Sequence, residues 1–180
     1  MPRSTQTDLA VLAALSIEPM TGYALRDAIR VHLGAFWSES FGQIYPALAR
    51  LRADGLVAAD EGDRSGSNVH SLTAAGRARL VELMRETPTS TPPRNGMLLR
   101  LFFGSVLGAA ACRELVADAR SQALAMLDHL ATARRATEAE PDHLPQRPYW
   151  LMTISAGEHS ARAAIAWADE TLATLDALPD

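Results

Sequence analysis

The sequence predicts a mainly α-helical protein in two parts. Three helices, a two-stranded ribbon and a linking helix come first, and a wholly helical half follows. Three observations carry this. Apolar residues recur every three or four positions along most of the chain, interrupted by two strand-like stretches, 56–59 and 68–72, that flank a turn-rich segment. Residues 87–95 are crowded with Thr and Pro, the composition of a linker. Beyond them, two seams keep an alternating three-four spacing, over residues 112–133 and 151–175.

The first helix is expected from about Gln6 to Ile17, carrying Leu9, Leu12, Ala13 and Leu15. Glu18-Pro19-Met20 breaks it, because proline cannot continue the hydrogen-bond ladder. Thr21 caps a second helix with Leu25, Ala28, Ile29 and Leu33 on its core face. The third opens at Ser40, which has the S-x-x-Q spacing of a capping box with Gln43. Ile44, Leu48 and Leu51 form its buried stripe. At about 100° per residue, Gly42, Pro46, Ala49 and Ala53 fall on the opposite face, flanked by Gln43, Tyr45 and Arg50. A small-residue face with polar flanks presses closely on another surface, and the DNA major groove is such a surface. Pro46 has no N–H for the carbonyl of Gly42, so the first turns are expected to be slightly distorted.

Gly55 ends this helix, and Leu56-Val57-Ala58-Ala59 reads as a strand. Glu61 to Ser67 is dense in turn formers, and Asn68 to Leu72 pairs back on the first strand. Thr73 caps a further helix with Leu80, Leu83 and Met84. This order describes a winged helix-turn-helix, whose third helix enters the major groove while the hairpin reaches along the backbone. The domains expected are 1–86, a winged-helix DNA-binding domain; 87–95, a linker; and 96–180, a helical dimerisation and effector domain.

The second half opens with a short apolar helix, Met97 to Phe103. A long helix from about Ala109 to Ala139 carries Cys112, Val116, Ala119, Ala123, Met126, Leu130 and Ala133 at heptad spacing. After the turn at Glu140 to Pro145, the last helix spans about Arg147 to Leu178. Its seam is Leu151, Ile154, Glu158, Ala161, Ile165, Ala168, Leu172 and Leu175. One antiparallel hairpin buries two such helices poorly, so a second copy of the chain is expected to complete the bundle. The dimerisation candidates are Val116, Ala119, Ala123, Met126, Leu130, Ile154, Ala161, Ile165 and Leu172. The other reading is a monomeric hairpin packed on its own winged domain.

Composition narrows the field. All 17 basic residues are arginine, and the net charge is −4. Residues 1–86 hold nine Arg against ten Asp and Glu, so DNA affinity has to come from where the arginines sit. A local patch of Arg3, Arg26, Arg30, Arg50 and Arg64 is expected, with acidic residues turned away. No apolar run approaches the roughly 20 residues of a membrane span, and no secretory signal layout opens the chain. A cytoplasmic location without membrane contact follows as an expectation. Cys112 is the only cysteine, which excludes an internal disulfide, and no cofactor is expected. Neither a zinc motif among the five histidines, nor a P-loop, nor a nucleophile elbow is present, so catalysis is not expected.

Several segments resemble the PadR family of bacterial transcriptional regulators: Met20-Thr21-Gly22-Tyr23-Ala24-Leu25, Phe41-Gly42-Gln43-Ile44-Tyr45-Pro46-Ala47-Leu48, Arg50-Leu51, Asp54-Gly55-Leu56-Val57 and Ser71-Leu72-Thr73-Ala74-Ala75-Gly76-Arg77. The Tyr-Pro pair within the recognition helix is the most specific of these. Leu98 to Gly104 and the surroundings of Trp167 resemble the helical domain of the longer PadR subfamily, so the likeness covers nearly the whole chain. The wing departs from the family pattern: its tip is Asp63 to Ser67 with Arg64 as the sole cation, and His70 stands where an aromatic residue is usual.

The resemblance implies DNA contact by Tyr45; packing at the helix edge is the plainer role for that ring. The other candidates for the DNA face are Thr21, Tyr23, Ser40, Gln43, Pro46, Arg50 and Arg64. Gln43 sits where a side chain pairs with adenine, or it serves only the capping box. Arg50 suits a backbone contact or an exposed salt bridge. Few base-reading side chains stand on this face, so DNA shape is expected to supplement direct readout. The resemblance also implies release from DNA by a small aromatic or drug-like molecule. Trp37, Phe102, Tyr149, Trp150, Glu158 and His159 are the effector candidates, with burial in the core as the alternative for each aromatic. Glu158 interrupts an apolar seam and needs a partner, either Arg120 on the other helix or a ligand. The function implied is a homodimeric, ligand-responsive repressor. A winged-helix adaptor that binds another regulator is the competing expectation.

Overall fold

The computed structural model describes residues 3–30, 37, 41–60, 68–88 and 95–178. Its elements in chain order are α1 (Arg3–Leu15), β1 (Met20–Thr21), α2 (Gly22–Ala28), α3 (Phe41–Ala53), β2 (Val57–Asp60), β3 (Val69–Leu72), α4 (Ala74–Arg85), α5 (Gly96–Phe102), α6 (Gly104–Leu107), α7 (Ala109–Ala139) and α8 (Arg147–Asp176). They divide into two compact units, Met1–Thr91 and Pro92–Asp180. No helix among the described residues is long and apolar enough to cross a membrane.

In the first unit, Val11, Leu12 and Leu15 of α1 meet Leu25 and Ile29, the α3 stripe of Ile44, Leu48 and Leu51, and Leu80 and Leu83 of α4, all in one core. Ala47 joins that stripe, fully buried. The expected ribbon is a three-stranded antiparallel sheet of order β1-β3-β2, because Met20 and Thr21 pair with His70 and Val69. On the other side, Val57 to Asp60 run against Leu72 to Val69. The break after Pro19 is thus a strand as well as a turn: the extended backbone it forces reaches the free edge of β3.

Thr73 ties three elements together. Its single hydroxyl proton is shared between the carbonyls of Gly55 and Leu56, at 2.9 and 3.0 Å, and its oxygen accepts from the Gly76 N–H at 3.0 Å. The end of α3, the start of β2 and the first turn of α4 therefore share one side chain. Gly76 is required there: a Cβ at this position would lie 2.0 Å from the Leu56 carbonyl oxygen and 2.8 Å from Leu72 Cδ1.

In the second unit, α7 and α8 form an antiparallel hairpin. The expected short helix, Met97 to Phe103, is α5, and a further turn of helix, α6, follows it after Phe103. The hairpin's register is visible in its cross-links: Arg113 meets Asp176 at 3.0 Å and Arg120 meets Asp169 at 2.5 Å. A Cβ on Gly157 would come within 3.0 Å of Leu130 Cδ1, so the helices approach closely there. That register corrects one expected pairing. Glu158 lies opposite the Leu130 level, too far along α7 for Arg120, and it takes Arg134 instead.

Candidate DNA interface

The outward face of α3 is Gly42, Tyr45, Pro46, Ala49 and Arg50, all exposed, with Gln43 half-buried on one flank. Pro46 lies inside the helix, as its neighbours required. Tyr45 is 52% exposed, yet its ring is not loose. It rests on the first turn of α2, where a Cβ on Gly22 would stand 2.9 Å from Tyr45 Cε1 and 3.6 Å from Cδ1 and Cζ. Only a glycine lets the ring lie this close. Thr21 sits beside it as the N-cap of α2, its hydroxyl accepting from the Ala24 N–H at 3.2 Å. The exposed ring of Tyr23 carries the Arg26 guanidinium 4.7 Å from its centroid.

Tyr45, Thr21 and Tyr23 are therefore gathered along the α2–α3 junction, while Gln43 and Arg50 line the opposite flank of α3. Ser40 and Arg64 lie outside the described residues, as do the side chain of Arg3 and the wing tip. The expected cationic patch is modified: acidic residues do not all turn away. Arg30 donates to Asp27 at 2.7 Å, and Arg50 donates to Asp8 of α1 at 2.8 Å. Asp8 and Gly22 escaped sequence reasoning, because each acts on a side chain more than twenty positions away.

His70 is the second surprise. It is 8% exposed on the central strand, between Met20 and Ala59, and its Nδ1 finds no hydrogen-bond partner among the described residues. Burial, and secondarily the positive charge of Arg52 on α3, hold its pKa below the ordinary 6.5. The folded unit thus resists a proton that the unfolded chain accepts, and stability is lost as pH falls below 6.5 toward the lowered value. The Tm of the wild type is expected to drop by a few degrees between pH 7.5 and 5.5. His70→Phe should flatten that dependence, and an equal acid slope in both proteins would exclude His70 as its source.

The effector candidates fall in both units, and those of the second unit lie on different elements of it. Trp37 packs partly buried against the core of the first unit. In the second unit, Phe102 is 82% exposed and meets Phe103 edge to face at 5.1 Å. Tyr149 is exposed, and half-buried Trp150 stacks obliquely on His143 at 5.5 Å. His159 is exposed beside Glu158. Glu158 itself is 8% exposed and fully engaged. Arg134 donates to both of its oxygens, at 2.8 and 3.1 Å, and Arg162 adds a third bond at 3.3 Å.

The seam residues pack largely within the hairpin. Val116, Leu130 and Ala161 are buried in the single chain; Ala119, Ala123, Ile154, Ile165 and Leu172 are half-buried, and Met126 is exposed. The larger exposed apolar surface is on α5 and α6, where Leu98, Leu99, Phe102, Phe103, Val106 and Leu107 all face solvent.

Comparison with known proteins matches both units. Residues 11–82 fit the transcriptional regulator PadR-like family, and residues 93–176 fit the virulence activator alpha C-terminal family. The negative transcriptional regulator PadR of Bacillus subtilis is 26% identical over 175 residues, covering 93% of this chain and 96% of that protein. Solved structures of Bacillus subtilis PadR superpose with a TM-score of 0.78 in complex with operator DNA and 0.75 in complex with p-coumaric acid. Both are 23% identical and cover 93% and 94% of this chain and 98% of theirs. The Vibrio cholerae virulence activator AphA superposes with a TM-score of 0.75 at 27% identity, covering 96% of this chain and 99% of that one.

Proposed function

We propose that this chain, whose two units match the PadR-like and virulence activator alpha C-terminal families, is a DNA-binding transcriptional regulator and not an enzyme, and that it works as a homodimeric repressor released from its operator by a small aromatic or drug-like molecule. The division of labour is a winged-helix domain over 1–86, a linker over 87–95 and a helical domain over 96–180 that pairs two copies and takes the effector. The protein works in the cytoplasm, on double-stranded DNA.

The observation that carries the reading is the outer face of α3. Tyr45, seated on Gly22 and half exposed, is held rather than free, so its hydroxyl is presented at little entropic cost. Around it, Gly42, Pro46 and Ala49 leave the helix slim enough to enter a major groove. Tyr23, Thr21 and Gln43 border the same face, and Ser40, Pro46, Arg50 and Arg64 complete the set of residues proposed to meet DNA. Pairing of two copies fits the apolar surface of α5 and α6, since an exposed patch of this kind marks an interaction site. Met126 adds to what a partner would cover. Repression agrees with the negative regulator named above, and the DNA and p-coumaric acid complexes of Bacillus subtilis PadR favour an operator and an aromatic effector here.

Fluorescence anisotropy on the DNA upstream of its own gene tests the reading, with sedimentation giving the oligomeric state. Salt-dependent binding by a dimer is expected, and Tyr45→Ala should weaken it roughly tenfold to a hundredfold. A folded dimer that binds no operator fragment specifically would favour the adaptor role instead.

A further inference from the structure

Arg50 stands on the flank of α3, beside the proposed DNA face, but it is already engaged. Its Nη2 donates to Asp8 Oδ1 at 2.8 Å across 42 positions of sequence, with the arginine side chain 46% exposed and the aspartate 23%. Such surface pairs contribute little to stability. The helices they join are in any case fastened by Val11, Leu12 and Leu15 packing with Ile44, Leu48 and Leu51. The consequence of the pair is electrostatic. A cation facing a carboxylate has to leave it before neutralising a phosphate, and the abandoned carboxylate then repels the DNA backbone.

We propose that Asp8 is a positioning residue that acts through Arg50, withholding a phosphate-binding cation from the DNA face and so lowering the sequence-independent part of DNA affinity. Discrimination then falls to the uncharged Tyr45 and Gln43. Asp27 repeats the arrangement on Arg30, at the far end of α2. Arg52 faces no carboxylate among the described residues and remains available. The inference rests on the reading of α3 as the DNA-facing helix.

The test is a salt series with the full chain on two duplexes, the fragment upstream of its gene and a shuffled sequence of equal length. Wild type, Asp8→Asn, Arg50→Gln and the double variant are compared. Asp8→Asn should bind the shuffled duplex roughly tenfold more tightly, with the slope of log affinity against log salt steeper by about 0.9, the signature of one more phosphate neutralised. The double variant should return to the wild-type slope, Arg50→Gln alone should leave that slope unchanged, and all four should melt at similar temperatures. A structural role alone would move the melting temperature and not the slope. An unchanged or shallower slope in Asp8→Asn overturns the proposal, as does a shallower slope in Arg50→Gln alone. A wild type that binds neither duplex overturns the DNA-facing reading, and this inference with it.

Discussion

Replacing Gly76 with alanine is expected to destabilise the first unit by about 3 kcal/mol, which corresponds to a fall of roughly 12–20 °C in Tm. The added methyl would sit 2.0 Å from the Leu56 carbonyl oxygen, well inside any real contact distance. That carbonyl cannot swing away cheaply. It accepts from the Thr73 N–H at 3.2 Å and from the Thr73 hydroxyl, so moving it breaks the link between β2 and α4. Leu72 Cδ1, at 2.8 Å, is the softer neighbour and could rotate, but it offers no relief from the backbone clash. Alanine in a helix ordinarily gains about 1 kcal/mol over glycine, so the sign of the effect is informative. Thermal melting followed by circular dichroism decides it, and a variant as stable as wild type would mean that α4 slides off β2 without penalty.

Removing the carboxylate of Glu158 is the second large change. Glu158→Ala leaves the Arg134 and Arg162 guanidinium groups facing one another with no acid between them. Losing one partner of an enclosed ion pair costs far more than the intact pair contributes. Tm is expected to fall by roughly 5–10 °C. The dependence on pH has a definite sign. Hydrogen bonds from Arg134 hold this carboxyl below its ordinary 4.5, against the opposing effect of burial and with help from the charges of Arg134 and Arg162. Its stabilisation is therefore complete above 4.5 and is lost as pH falls through the lowered value. The gap in Tm between wild type and variant should close under strong acid. A gap that is constant from pH 7 to 3 would assign the loss to packing instead. Acid thus acts on the two units in different ranges, through His70 below 6.5 and through Glu158 below 4.5.

What local chemistry decides was legible in the chain. Thr21 and Thr73 cap the helices they were expected to cap, and Gly55, at a φ of 70°, follows the end of α3. Helix α7 runs from Ala109 to Ala139 as its spacing required, and α8 starts at Arg147. Misses came where a distant partner decides. Nothing near Met20 announces a strand, because β1 exists only by pairing with residues fifty positions on. Helix α1 begins at Arg3 and ends at Leu15, earlier at both ends than the apolar spacing suggested. The match of Glu158 to Arg134 depends on the register of two long helices, which a three-four pattern on either one does not specify. Asp8 beside Arg50, Gly22 beneath Tyr45 and the burial of His70 are likewise facts of tertiary packing. Heptad spacing also could not tell a seam facing the other arm of the same hairpin from one facing a second chain.

The hydroxyl of Thr73 holds the end of α3, the start of β2 and the start of α4 in one knot. A joint of that kind has no hinge in it. Any movement of α4 is therefore expected to carry the end of α3 and the start of β2 with it, so that this unit shifts as a block here and does not bend.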